Sequence, residues 1–267
     1  MSKITEEDRK EFNEKQKPIK AEIEEALKKE KEILAVMKND TGGVEYKKLL
    51  LAEQMIYVST LYIQINALSV HIMDTRNNDV LNDARKILYK AIIYLEEIVT
   101  AYVDCPYTDL VPNWERIANT PVEKRYYLVR KLGLAIQMLV DAFGDNSKWK
   151  WSFVEMRGRF TVVAKNLIDM KKASKDFFEP SSPEYDSTVL YVRLIKKLID
   201  QSAQDYRDKY ELSSRRIDDM KMAINFLLAQ RRIAIVMGDK DDAEELKKKA
   251  AVWKGKMESD QKSGRVS

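Results

Sequence analysis

Residues 81–102 read LNDARKILYKAIIYLEEIVTAY, and in them Leu81, Ala84, Leu88, Ala91, Leu95, Ile98 and Tyr102 follow one another at alternating steps of three and four. On a helix of 3.6 residues per turn that spacing puts every one of them on a single face, whereas a half-buried strand requires steps of two. The stretch predicts a helix that packs along a heptad seam.

The segment before it, 44–74, obeys the same rule twice. Leu51, Met55, Val58, Tyr62, Ile65 and Ile72 form one stripe, and Leu50, Tyr57, Leu61 and Leu68 form a second beside it. A helix apolar on two sides is covered on two sides, so this one is expected at the centre of the fold. Turns are expected at NDTGG (39–43) and TRNND (75–79). Upstream, a helix is expected from about Pro18, with Ile23, Leu27, Leu34 and Met37 along one side, and residues 1–17 read as a polar, frayed segment.

Downstream, residues 104–120 (DCPYTDLVPNWERIANT) are the longest irregular stretch, with a short helical turn expected at PNWERIAN. TPVE at 120–123 is a helix start, with Thr120 as N-cap, Pro121 in the first turn and Glu123 at the third position. A helix to about Phe143 follows, and GDNS (144–147) ends it. The next stretch opens KWKWSFVEMRGRF (148–160), a mixture of tryptophan, lysine and arginine that would suit a nucleic-acid strand, a membrane surface or a core. Trp149, Phe153, Met156, Phe160, Val163, Leu167 and Met170 continue it in heptad register, so the aromatic rings are assigned to a core on a helix running to about Phe178. Trp151 falls off that seam, and Gly158, costly inside a helix, predicts the close approach of another backbone. EPSSPEYDS (179–187) breaks the chain, and a further helix breaks or kinks near Ser213 and Ser214. The last hairpin, LLAQRRIAIVMGDKDDAEELKKKAAVW (227–253), resembles one tetratricopeptide-type unit at Gly238, Asp239, Ala243 and Ala250, with Arg231 standing where that pattern takes a small residue.

The expected fold is therefore all-α, an antiparallel array of seven or eight mostly long helices with heptad-type seams. It forms one domain over 18–257 with a disordered tail at 258–267. Eight glycines and six prolines in 267 residues leave little room for turns and agree with it.

Chemistry is sparse. One histidine and one cysteine cannot build a His- or Cys-rich metal site, and no phosphate-binding or nucleophile-elbow string occurs, so no catalytic residue, cofactor or metal ligand is assigned. The charge of +4, from 47 basic and 43 acidic residues in short alternation, describes a mixed surface rather than a dedicated polyanion binder. A single cysteine suits a reducing compartment, the N-terminus resembles neither a signal nor a transit peptide, and the most apolar run, 55–73, is interrupted by Gln64, Asn66 and His71. A cytoplasmic location off the membrane is expected. The function expected is a non-enzymatic scaffold or adaptor that binds other proteins, itself included, through Tyr107, Trp114, Trp151, Arg157 and Arg159, large groups outside the helical registers or beside them. The alternative is a binder of nucleic acid or another phosphorylated ligand through Lys124, Arg125, Arg130 and Lys131, and a third is an enzyme of unrecognised type.

Overall fold

The computed structural model describes residues 4–144 and 149–264, so the end of the GDNS turn, Lys148 and the last residues of the tail lie outside it. Among the described residues the chain is all-helical, with ten α-helices: α1 (Glu6–Asn39), α2 (Val44–Met73), α3 (Asn78–Val99), α4 (Tyr107–Arg116), α5 (Val122–Phe143), α6 (Lys150–Asn166), α7 (Met170–Asp176), α8 (Tyr185–Lys209), α9 (Ile217–Val236) and α10 (Lys240–Lys262). Two short helices, α4 and α7, sit where sequence periodicity has too few turns to register. Where the sequence reads as one domain over 18–257, the packing divides the chain into two compact units, Met1–Ile98 with Leu128–Lys150 and Val99–Tyr127 with Trp151–Ser267.

In the first unit, α1 begins at Glu6 and not near Pro18. A reciprocal capping box explains the early start: Asp8 N–H donates to the Thr5 hydroxyl at 3.1 Å and Thr5 N–H donates to the Asp8 carboxylate at 2.8 Å. Burial of Phe12, Gln16 and Ile19 then anchors turns that the sequence presents as polar. Helix α2 folds back on α1, with Gln54 donating to the Ala26 carbonyl at 2.6 Å and the Tyr57 hydroxyl donating to Glu22. One stripe of α2 is fully buried at Leu51, Met55, Val58 and Ile65. The seam of α3 is buried from Leu81 to Ile98, but Tyr102 lies past the helix end and is 76% exposed. A buried charge ties α3 to α1: Glu30 accepts from Lys90 at 2.6 Å and from the Tyr94 hydroxyl at 2.5 Å. Pairing with both donors is what makes a carboxylate tolerable there.

In the second unit, Phe153, Met156, Phe160, Val163, Leu167 and Met170 are buried as the heptad register requires. The helix itself stops at Asn166, because Asp169 caps a new one, accepting from Lys171 N–H and Lys172 N–H. Gly158 faces a side chain rather than a backbone: a Cβ there would lie 2.5 Å from Cε2 of Tyr206, whose ring stacks on Phe226. The expected break near Ser213 is a π-helical turn, Tyr210–Ser214, closed by Arg215 in the left-handed region at φ 50°. That turn is pinned by Tyr210 donating to Asp260 at 2.8 Å. Asp260 and Met257 are both buried, so α10 continues to Lys262 through residues expected in the disordered tail.

Candidate groove on the first unit

The second stripe of α2 is only partly covered: Leu61 is buried, but Leu50 and Tyr57 are not. Leu50 is 54% exposed and Tyr57 46%, and they meet Val36 of α1 (51%) and Leu134 and Met138 of α5 (59% and 46%) around an open groove of about 960 Å³. Helix α2 forms its floor, with α1 and α5 as walls. Each helix contributes along its own stripe, because residues three and four apart share a helix face. Ile33 and Val36 are three apart, Leu50 and Tyr57 seven apart, and Leu134 and Met138 four apart.

Five charged residues, Lys29, Glu32, Lys47, Glu53 and Lys131, also line the groove, and each of the three lysines is held by an acid of the same chain. Lys29 pairs with Glu25 at 2.6 Å, Lys47 with Asp40 at 2.5 Å and Lys131 with Glu53 at 2.5 Å. The partner lowers the carboxyl of Glu25 and of Asp40 below the ordinary range, in both cases chiefly through the lysine's hydrogen bond. Two of these pairs also brace the groove: Lys131 and Glu53 join α5 to α2, and Lys47 reaches back across the 40–43 turn.

Most of the contact residues expected from sequence lie elsewhere. Tyr107 and Trp114 are buried in α4 of the second unit: the Trp114 indole donates to the Asn166 carbonyl at 2.8 Å and its ring sits 6.2 Å from that of Tyr107. They serve the interior because the 104–120 segment is helical and packed down instead of projecting. Trp151, Arg157 and Arg159 are half-buried on α6, and Arg157 lies 3.9 Å from Asp205. Of the anion candidates, Arg125 is buried and donates to the carbonyls of Ile117, Thr120 and Leu167, so its guanidinium caps chain ends and is closed to a ligand. Lys124 belongs to the second unit and is exposed, whereas Arg130 and Lys131 belong to the first. Only Lys131 reaches the groove, and Glu53 occupies it.

Residues 8–261 match the TP0443 family. The chain belongs to this family. No curated protein and no solved structure matches it. In this TP0443 family chain the described residues hold no group of three or more His, Cys, Asp or Glu side chains placed to bind a metal ion. The single cysteine, Cys105, is buried, and burial pushes its thiol up, away from the reactive thiolate. Among the described residues one helix, α2, is long and apolar enough to cross a membrane by length and composition, with half of that window buried within the fold.

Of the groove residues, Leu50 and Tyr57 were legible in the sequence, as a second stripe of α2 that implied a second cover for that helix, and the structure leaves both about half exposed. Val36, Leu134 and Met138 lie off the stripes read on their own helices.

Proposed function

We propose that this chain is a non-enzymatic helical scaffold that binds other proteins, and that the groove of the first unit is where it does so. The observation that carries the reading is the convergence of five large apolar side chains, each about half exposed, from three helices onto one concavity. Apolar side chains scattered singly on a surface are ordinary, but a contiguous patch of them in a concave setting marks an interaction site. The wider picture, an antiparallel array packed through heptad-type seams, belongs to the same reading. It would give the groove rigid walls, which a reusable docking site needs. The anion-binding alternative has less support, since Arg125 and Lys131 are both engaged within the chain.

Photo-crosslinking in the native host tests this. A benzophenone amino acid at position 50 or 134 should form adducts with the same partner protein, and one at position 252, an exposed apolar site of the second unit, should not. Met138→Glu should abolish those adducts while changing the unfolding free energy by no more than about 0.5 kcal/mol, as expected of a surface substitution. Adducts restricted to lipid, or none at either groove position, would sink the proposal.

A further inference from the structure

Resting on the protein-binding reading of the groove, we infer that its occupant is a short amphipathic α-helix of about three and a half turns, supplied by a partner protein and held by apolar contact rather than by charge. Three features of the site converge on this.

The first is periodicity. The floor and both walls present apolar groups at steps of three, four and seven, the ridge spacing that receives the ridges of another helix. An extended segment repeats its side chains every second residue and sends alternate ones away from the surface, so it would match neither wall. Helix α2 already lies between two neighbours as the floor of an open trough, so an added helix would complete a bundle and lay its anchors i, i+3 or i+4, and i+7 into the groove.

The second is size. The lining runs along α2 from Lys47 to Thr60, which at 1.5 Å per residue is about 20 Å, or roughly three and a half helical turns. Five side chains about half exposed leave a patch of at most a few hundred Å², well short of the roughly 800 Å² per partner of a standard stable interface. The patch accordingly suits a short helical segment that binds reversibly. It is too small to hold a second copy of the chain by itself.

The third is charge. Lys29, Lys47 and Lys131 are each compensated by Glu25, Asp40 and Glu53, so no uncompensated positive charge waits for an acidic peptide, a phosphate or a fatty-acid head group. Exposed pairs of this kind contribute little and are screened by salt. Recognition then rests on shape and apolar burial.

A random peptide library of about 14 residues, displayed and selected on the full chain and counter-selected on its Leu134→Glu variant, reads the occupant directly. Far-UV circular dichroism of the Leu134→Glu variant, superimposable on that of the parent, establishes that the counter-selection surface is folded. Enriched sequences should carry large apolar residues at i, i+3 or i+4, and i+7, should gain helical dichroism on binding, and should lose at least tenfold in affinity on Leu134→Glu. Their affinity should change less than about twofold between about 50 and about 500 mM NaCl. Enrichment of alternating or acidic sequences, a loss above about fivefold in salt, or no enrichment over the counter-selection would overturn the helix assignment. Those results leave groove crosslinks to a protein intact, whereas failure of the crosslinks removes the underlying reading, so the two claims fail separately.

Discussion

Replacing Trp114 with alanine is expected to cost about 3–5 kcal/mol of unfolding free energy, the range for deleting a buried indole. The ring is buried in α4, and its N–H donates to the Asn166 carbonyl at 2.8 Å. The same Asn166 holds the chain on its other side, donating its amide to the carbonyls of Thr100 and Tyr102 at 3.1 and 3.3 Å. Truncation therefore opens a cavity and strips a donor from a carbonyl inside a shared network, two losses that add. Trp114→Phe keeps most of the volume and should cost about 1–2 kcal/mol, mainly the unmade hydrogen bond. Urea unfolding of the two variants beside Leu134→Glu measures the contrast. A Trp114→Ala protein within about 0.5 kcal/mol of the parent would return α4 to the surface and reopen it as a contact site.

Trp114 also shows where reading the sequence stops. Periodicity located α2, α3, the seam of α6 and the break before Ile217, because a long helix repeats its apolar signal over many turns. It has no comparable hold on a helix of ten residues with Pro112 inside it, so α4 read only as a short helical turn within an irregular stretch, and its tryptophan as a contact candidate. The opposite error occurred at the termini. Polar segments 6–17 and 258–262 looked unanchored, yet a capping box with Phe12 at one end and the Tyr210–Asp260 bond at the other hold them helical. Each anchor is one or two residues, too few to make a pattern.

The groove was half legible for a related reason. Sequence can count apolar stripes, and it gave α2 two, but it cannot say whether a neighbour arrives to cover the second. At Leu61 one does, whereas Leu50 and Tyr57 stay about half exposed, Tyr57 meeting α1 through its hydroxyl at Glu22. Likewise Arg125 and Lys131 look alike as basic residues on one helix. Only placement separates a guanidinium capping three carbonyls from an exposed ammonium paired with Glu53.

The buried amine of Lys165 is expected to cost the second unit stability at neutral pH, and that penalty to be lifted as pH is raised from about 8 toward 10. Its side chain is 2% exposed, and its ammonium donates to the Asn166 side-chain oxygen at 2.6 Å. Asp104, the acid of this cluster, is 2.9 Å from Arg232, which claims it. Burial pushes the amine down to about 8 from an ordinary value of 10.5, with Cys105 and Asp104 opposing the shift and Arg232 reinforcing it. The folded state thus binds this proton more weakly than the unfolded chain does. The penalty is present in full below pH 8, shrinks as pH rises through the interval, and is gone above 10.5. It amounts to about 3 kcal/mol at pH 7, about 2 at pH 9 and about 1 at pH 10. Cys105 and the buried Tyr107, Tyr191 and Tyr210 act the other way, since burial raises all four and each favours unfolding once it ionises in the unfolded chain. Lys165→Met isolates the amine, because it keeps the stem's volume and leaves those groups in place. Its stability relative to the parent should be greatest at pH 7 and fall by about 2 kcal/mol by pH 10, whatever constant the lost bond to Asn166 contributes. Urea unfolding at pH 7, 9 and 10 gives the comparison, and a difference that does not vary with pH would show that Lys165 keeps its ordinary proton affinity in the fold.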